Sequence, residues 1–434
     1  MEYQEAIDFL YPLHRFGIRP GLDRIYELLR ELGHPEKRLG RTVHIAGTNG
    51  KGTVAACTAS IFTAAGRKTG LFTSPHLVDF TERIRIDGRQ IPKEKIAEYC
   101  SRLKSRVDAL GATFFEVTTA MAFAYFAEEG VEVSVIETGM GGRLDATNVV
   151  RGDIVIIPSI GFDHTAWLGE SIREIAAEKA AIVKNGSRVF TAVDEGDGLD
   201  AIRVAADRCG AQLSISGREA AFRVIDVQPG RLELEVSLAS GEHRNLTAPL
   251  TGSFHASNVT LAVMAARSEG IGWSDIETGL SRLSASGYRA RLEQISTRPS
   301  VMLDVSHNPD GMEKSLQALR EIRGAFRDLF VLIGVAADKD AAGIVRPVCG
   351  LARMVVTVDL PTERNLPAEA LAELCLQNGV AEVQVCRTAS EGLDLLCSRA
   401  GEEDMILVTG SFFLVGELVA AGRWRGEARE SGYR

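Results

Sequence analysis

The chain has 434 residues, 45% of them apolar and 25% charged, and carries a formal net charge of −9 at pH 7. That length exceeds one ordinary core and predicts two domains. No apolar run approaches the ~18 residues that a membrane span needs, and the acidic balance argues against a general binder of nucleic-acid backbones. Seven scattered cysteines form neither C-x-x-C pairs nor a disulfide framework, and the start at Met1 lacks a basic, apolar leader, so a cytoplasmic protein is expected. Cys57, Cys100 and Cys375 fall in helical apolar patterns and read as buried small hydrophobes.

Residues 1 to about 40 read as amphipathic helix, with Ile25, Leu28, Leu29 and Leu32 at helical spacing and Gly33 as a stop. Strands and helices then alternate: strand 43–46, helix 53–65, strand 69–73, helices 92–109 and 116–129, strands 131–137 and 153–159, helix 172–184, strand 188–193, helix 198–209. Such alternation predicts a mostly parallel sheet covered by helices. Between about 211 and 250 the texture changes to short alternating strands around Gln228-Pro229-Gly230-Arg231, a small β appendix, before helices from Asn258 and near 274–283. The small-residue stretch Ser284-Ala285-Ser286-Gly287 reads as a linker, placing one domain at 1–286 and a second α/β domain at 287–434. The second contains strands at 301–305, 329–333, 354–358, 383–385 and 405–408.

The segment from Val43 to Thr53 is an apolar strand, a glycine-rich turn and a helix start, with Gly47, Gly50 and Gly52 around Lys51. Such a turn lets backbone N–H groups converge on an anion, the helix presents its positive end, the lysine adds a charge, and the Thr53 hydroxyl can hold Mg2+. The common pattern G-x-x-x-x-G-K-[ST] is not met, since Ile45 replaces its first glycine and Gly52 separates Lys51 from Thr53; strand before and helix after carry the reading instead. Glu137 ends a second apolar strand ahead of Gly139-Met140-Gly141-Gly142, where it could serve as a hard oxygen ligand for Mg2+. His164 follows a third strand, as a ligand, an acid/base or a merely hydrogen-bonded loop residue. Lys179 has small neighbours at Ala176, Ala177, Ala180 and Ala181, yet its residues alone favour an exposed lysine. Asp304 and His307 follow a strand of the second domain and could aim at the first, or form an Asx/Pro turn.

In this order, Gly47-Thr48-Asn49-Gly50-Lys51-Gly52-Thr53, Thr73-Ser74-Pro75-His76-Leu77, Thr81-Glu82-Arg83, Thr113-Phe114-Phe115-Glu116, Glu137 through Asn148, Asp163-His164-Thr165, Glu178-Lys179-Ala180, Asp304 with His307-Asn308-Pro309, Asp338-Lys339-Asp340 and Gly410-Ser411 resemble the folylpolyglutamate synthase and dihydrofolate synthase group of the Mur-ligase-like family. The resemblance spans nearly the whole chain. It implies an N-terminal P-loop ATPase domain with a C-terminal Rossmann-like α/β domain. It also implies that Asn49, Gly50, Lys51, Gly52 and Thr53 hold the ATP phosphates, and that Ser74, Glu137 and His164 bind Mg2+ in a two-ion site. Lys179 matches a lysine that is carbamylated in the family, which reverses its isolated reading. Asn258 matches an adenine contact, Arg291 a γ-phosphate contact, Asp304 a further nucleotide contact and His307 its catalytic neighbour. Thr113, Phe115, Leu144, Asp145 and Ala146 match positions that line a dihydropteroate pocket.

Two departures stand beside these matches: Phe254-His255 where the family has His-Gln before Asn258, and Arg289-Ala290 where it has Pro-Gly before Arg291. The implied reaction is ATP-dependent amide formation between L-glutamate and dihydropteroate or a reduced folate, through an acyl phosphate, by a monomer. Other amide ligases of the superfamily, a P-loop hydrolase and a non-catalytic nucleotide-binding module are the rival readings.

Overall fold

The computed structural model describes residues 1–17 and 19–422. Its first sheet holds eight strands: β1 (Arg41–Ile45), β2 (Thr69–Phe72), β3 (Ile84–Ile86), β4 (Arg89–Gln90), β5 (Val133–Glu137), β6 (Ile154–Ile157), β7 (Arg188–Thr191) and β8 (Gln212–Ile215). They lie in the order β4-β3-β2-β5-β1-β6-β7-β8, parallel except for the antiparallel edge of β3 and β4. A three-stranded antiparallel sheet of β9 (Ala220–Gln228), β10 (Arg231–Leu238) and β11 (His243–Ala248) follows as the β appendix. The third sheet has β12 (Arg291–Thr297), β13 (Ser300–Asp304), β14 (Leu329–Ile333), β15 (Ala352–Val358), β16 (Glu382–Cys386) and β17 (Met405–Thr409), parallel except for β12. Among the described residues no helix is long and apolar enough to cross a membrane.

The central strands β1, β5 and β6 are buried on both faces of the covered sheet, so that β6 is wholly apolar and, past Arg41, the polar residues of β1 and β5 are buried with the rest. The helix Lys51–Ala64 is buried from Thr53 to Phe62 and is built from small residues, so it packs on every side rather than showing one apolar stripe. Its neighbour Trp273–Ser281 approaches so closely that the backbone of Ile61 lies where a Gly279 side chain would go, and Ser60 Oγ donates to Gly279 O at 2.6 Å.

Several expected boundaries move for physical reasons. The N-terminal segment is two helices, Tyr3–Leu10 and Asp23–Glu31, joined through Pro12, Gly17 and Gly21. The helix expected from 116 starts at Phe114, because Thr113 and Glu116 form a reciprocal capping box. The helix expected to reach 184 ends at Ala180. Strands β3, β4, β8, β11 and β12 escaped the reading: they are short, polar or edge strands whose partners supply the order. The expected linker at 284–287 begins as a tight turn, Leu283–Ser286, with Leu283 and Ser286 buried. Cys57, Cys100 and Cys375 are buried.

Gly279→Ala is expected to cost about 1–3 kcal/mol of stability by overpacking two backbones. Urea unfolding measures it, and an unchanged midpoint would show that the helices part freely.

Candidate functional site

Ligand crevices in open α/β sheets lie beyond the carboxyl ends of strands where the strand order reverses. Here β1 lies between β5 and β6, and the chain leaves β1 for β2, which lies beyond β5. The carboxyl ends of these three strands carry the glycine turn at Gly47, the carboxylate of Glu137 and the segment Ser159–His164.

The turn is tied down from β6. Thr48 N donates to Ser159 O at 2.9 Å, Asn49 N donates to Ser159 Oγ at 3.0 Å, and Ser159 Oγ donates to Asn49 O at 2.9 Å. Gly50 caps the following helix in the left-handed region at φ 87°, which favours glycine, and a side chain there would collide with the Asn258 amide. Gly52 lies between two opposite charges: a methyl group on it would be in ordinary contact, 3.8 Å from both Glu137 Oε1 and Arg291 Nη2. The residue that breaks the common phosphate-loop pattern therefore faces an acid of the first sheet and a base of the third.

Two ammonium groups converge on one carbonyl. Lys51 Nζ donates to Gly47 O at 3.0 Å and to Thr48 O at 3.1 Å, while Lys179 Nζ donates to the same Gly47 O at 3.0 Å. Lys179 is only 3% exposed, which overturns the reading from its neighbours alone; Gly142 makes room, since a side chain there would strike the Glu178 and Lys179 carbonyls. Burial, and then the charge of Lys51, lower the Lys179 amine to about 7. Glu137 is buried and accepts from Ser74 N at 3.1 Å; burial raises its carboxyl, opposed by Lys51 and the Ser74 N–H.

His164 begins a short helix at φ 51° with its side chain 38% exposed, and its Nε2 lies 3.7 Å from Asp163. Burial lowers its imidazole. Among the described residues no three His, Cys, Asp or Glu side chains cluster as a metal cage. Thr53 is buried, and its hydroxyl meets Tyr288 Oη at 3.0 Å.

The third sheet supplies the opposite wall. Arg291 opens β12 and lies over the Phe412 ring at 5.2 Å, in a cleft shared with Ser74, Glu137 and Tyr288. Asp304 ends β13, buried, and accepts from Ser315 Oγ at 2.9 Å. His307 Nδ1 meets Val305 O at 2.9 Å, so Nδ1–H donates and Nε2 is left with a free lone pair; burial lowers this ring to about 4. Asn49 reaches across to Asp310 and lies 3.5 Å from Asn308 Nδ2.

The remaining candidates surround the glycine turn after β5. Phe115 fits its ring where a Gly139 side chain would be and lies 5.8 Å from the Phe72 ring. Thr113 is spent on capping, bonded to Glu116, which pairs with Arg24 at 2.9 Å. Asp145 accepts from Met140 N at 2.9 Å and Thr147 N at 3.0 Å; Ala146 is buried and Leu144 is 43% exposed. The motifs gave no role to Phe162, exposed at 63% just before His164, to Trp167, exposed at 50% in the short helix after it, or to Arg83, which is buried, donates to His76 Nδ1 at 2.7 Å and lies over Phe114. An aromatic in a polar loop was the available signal for the first two; Arg83 had none beyond its motif.

Comparison with known proteins agrees with this geometry. The Mur ligase middle domain family matches residues 45–266, and the Mur ligase glutamate ligase domain family matches 290–412. The chain is 32% identical over 427 residues to the dihydrofolate synthase/folylpolyglutamate synthase of Bacillus subtilis, covering 96% of this chain and 98% of that protein. It is 33% identical over 415 residues to the protein of the same description in Escherichia coli, covering 95% and 94%. Among solved structures, Escherichia coli FolC in complex with DHPP and ADP superposes with a TM-score of 0.88 at 30% identity over 99% of both chains. Mycobacterium tuberculosis folylpolyglutamate synthase complexed with ADP gives 0.85 at 30% identity over 96% of this chain and 98% of that one. Both the domain matches and the full-length relatives place this chain in the folylpolyglutamate synthase/dihydrofolate synthase family of ATP-dependent Mur-type ligases.

Proposed function

We propose that the chain joins L-glutamate to dihydropteroate, to folate glutamates, or to both, spending ATP through an acyl phosphate. The observation that carries this is the glycine turn at the end of β1, with Lys51 bonded to Gly47 O, Lys179 buried against the same carbonyl, Glu137 beside it on β5 and Arg291 opposite on the third sheet: charged groups gathered at one strand end, facing a second wall. In this reading Asn49, Gly50, Lys51, Gly52 and Thr53 take the ATP phosphates, Asn258 and Asp304 take the rest of the nucleotide, and Arg291 meets the γ-phosphate. Domains 1–286 and 287–434 close on the substrates, with the division after the turn Leu283–Ser286.

The donor set fits Mg2+, which is held through one or two carboxylates with a few further oxygen or nitrogen donors and completed by phosphate oxygens and water rather than by a cage. Ser74, Glu137 and His164 would hold one ion, and Lys179, once carbamylated, would serve as a ligand beside a second. Buried at about 7, Lys179 presents a substantial neutral fraction at physiological pH, the form that adds CO2. When bound, Mg2+ supplies charge neutralisation at the transferring phosphoryl group.

The acceptor lies along Phe115, Leu144, Asp145 and Ala146, near the capped Thr113, with its carboxylate toward the phosphates. A carboxylate oxygen attacks the γ-phosphorus and ADP leaves; the glutamate amine attacks the acyl carbon, loses a proton, and phosphate leaves. Lys51 and Arg291 offset the charge that develops on the transferring group. His307 Nε2, bare because Nδ1 is tied to Val305, can accept a hydrogen bond from the amine and orient it. Closure of the second wall over the first excludes the water that would hydrolyse the acyl phosphate.

Glutamate-dependent ADP release with dihydropteroate and, separately, with a reduced folate tests this reading. Activity with one acceptor defines which ligase this is, and activity with neither refutes it. Lys51→Ala is expected to lower kcat by at least about a hundredfold with unfolding unchanged, and wild-type turnover in that variant would remove Lys51 from the mechanism.

Lys179 also makes a pH prediction. Its folded value of about 7 lies below the ~10.4 of an unfolded lysine. Between them only the unfolded chain binds the proton, so this group's contribution makes stability rise with pH across that window, and its full penalty is present below it. In CO2-free buffer Lys179→Met should therefore be more stable than wild type at pH 7, with the gap narrowing toward pH 10. A gap independent of pH would contradict the buried, depressed amine.

A further inference from the structure

His44 lies on β1, three residues before Gly47, and is fully buried between the apolar Val43 and Ile45. Its Nε2 is 2.8 Å from Thr147 Oγ1, and Thr147 Oγ1 is 2.5 Å from Asp145 Oδ1. The other ring nitrogen, Nδ1, is buried without a partner. An imidazole with an orphaned nitrogen is a poorer core residue than leucine, so packing alone does not account for it.

The hydrogen-bond directions follow from donor counting. Asp145 takes N–H donors from Thr147 at 3.0 Å and Met140 at 2.9 Å, which suits the acceptor-only carboxylate. A 2.5 Å oxygen pair holds one proton, so the single Thr147 hydroxyl proton goes to Asp145. Thr147 Oγ then has only lone pairs to offer His44, and His44 Nε2 must carry the hydrogen. A neutral ring has one N–H, which leaves Nδ1 bare, the atom found without a partner. Burial, with Lys184 nearby, lowers this ring to about 3, so it is neutral at pH 7.

We propose that His44 is a positioning residue for the acceptor. Its Nε2–H, relayed through Thr147, locks the Asp145 carboxylate, which in turn holds Met140 N and the loop carrying Leu144 and Ala146. The relay ties the strand that leads into the phosphate cradle to the loop that receives the acceptor, and it rests on the acceptor pocket proposed above. A protonated Asp145 would reverse both bonds and move the ring hydrogen to Nδ1, so the tautomer of His44 reports the state of the loop.

Nitrogen-15 spectra of histidine-labelled protein, with His44 assigned from the spectrum of His44→Gln, test the direction of the relay. The Nε2–H tautomer is expected in the ligand-free wild type, and the Nδ1–H tautomer would overturn the proposal. Kinetics test the positioning. His44→Leu and Thr147→Val should raise the KM of whichever acceptor the wild type uses by about tenfold, with KM for ATP unchanged. His44→Gln and Thr147→Ser, which keep a donor and a hydroxyl, should return most of it. An unchanged acceptor KM in folded Thr147→Val, or an equal rise in both KM values, would overturn the proposal. A wild type inactive with every pteroate or folate would refute the functional reading instead, while the tautomer measurement would still decide the relay.

Discussion

Two lysine ammonium groups bonded to one carbonyl oxygen, Gly47 O, are the constraint around which the site is arranged. Cations brought this close repel one another, and burial of Lys179 raises the cost further. The fold answers with a depressed Lys179 amine, a buried carboxylate at Glu137 and a cleft open to anions. A polyanion such as the ATP phosphates would relieve the repulsion. The net negative charge of the chain is compatible with this centre, because Lys51 and Lys179 lie within hydrogen-bond reach of the turn while charges farther away are screened by solvent and salt.

Small residues make that convergence possible. Gly50 admits Asn258, Gly139 admits the Phe115 ring, and Gly142 admits the helix bearing Lys179. Across the cleft, the helix Phe412–Ala420 of the third sheet sits so near the Ser74–Leu77 loop that Gly416 has no space for a side chain beside the Leu77 carbonyl. The site is therefore assembled by close backbone approach between elements of different sheets. Its side chains are short of alternatives, which favours preorganisation over rearrangement.

Much of this was legible before any coordinates. The apolar runs of β1, β5 and β6 and the turns that follow them marked three strand ends in one sheet, and the ordered motifs named the family. What stayed hidden depended on distant partners. Lys179 looked like a surface lysine because its four alanines say nothing about Gly47, 132 residues away, whose carbonyl it reaches. Strands β8 and β12 are polar or half-buried and take their conformation from neighbours. His44 shows in the sequence only as a polar residue between Val43 and Ile45, and its link to Thr147 spans 103 positions. Capping chemistry moved the start of the helix after Thr113, showing that a residue assigned to a pocket can be committed to local structure.

The central claim is that the charge centre exists to move a phosphoryl group onto a carboxylate. Isotope transfer tests it most directly: supply an acceptor whose reacting carboxylate carries oxygen-18, run the reaction with ATP and glutamate, and examine the released phosphate by mass spectrometry. The account predicts one labelled oxygen in the phosphate for every amide formed. Amide formation with unlabelled phosphate would contradict an acyl-phosphate route and the reading of this site.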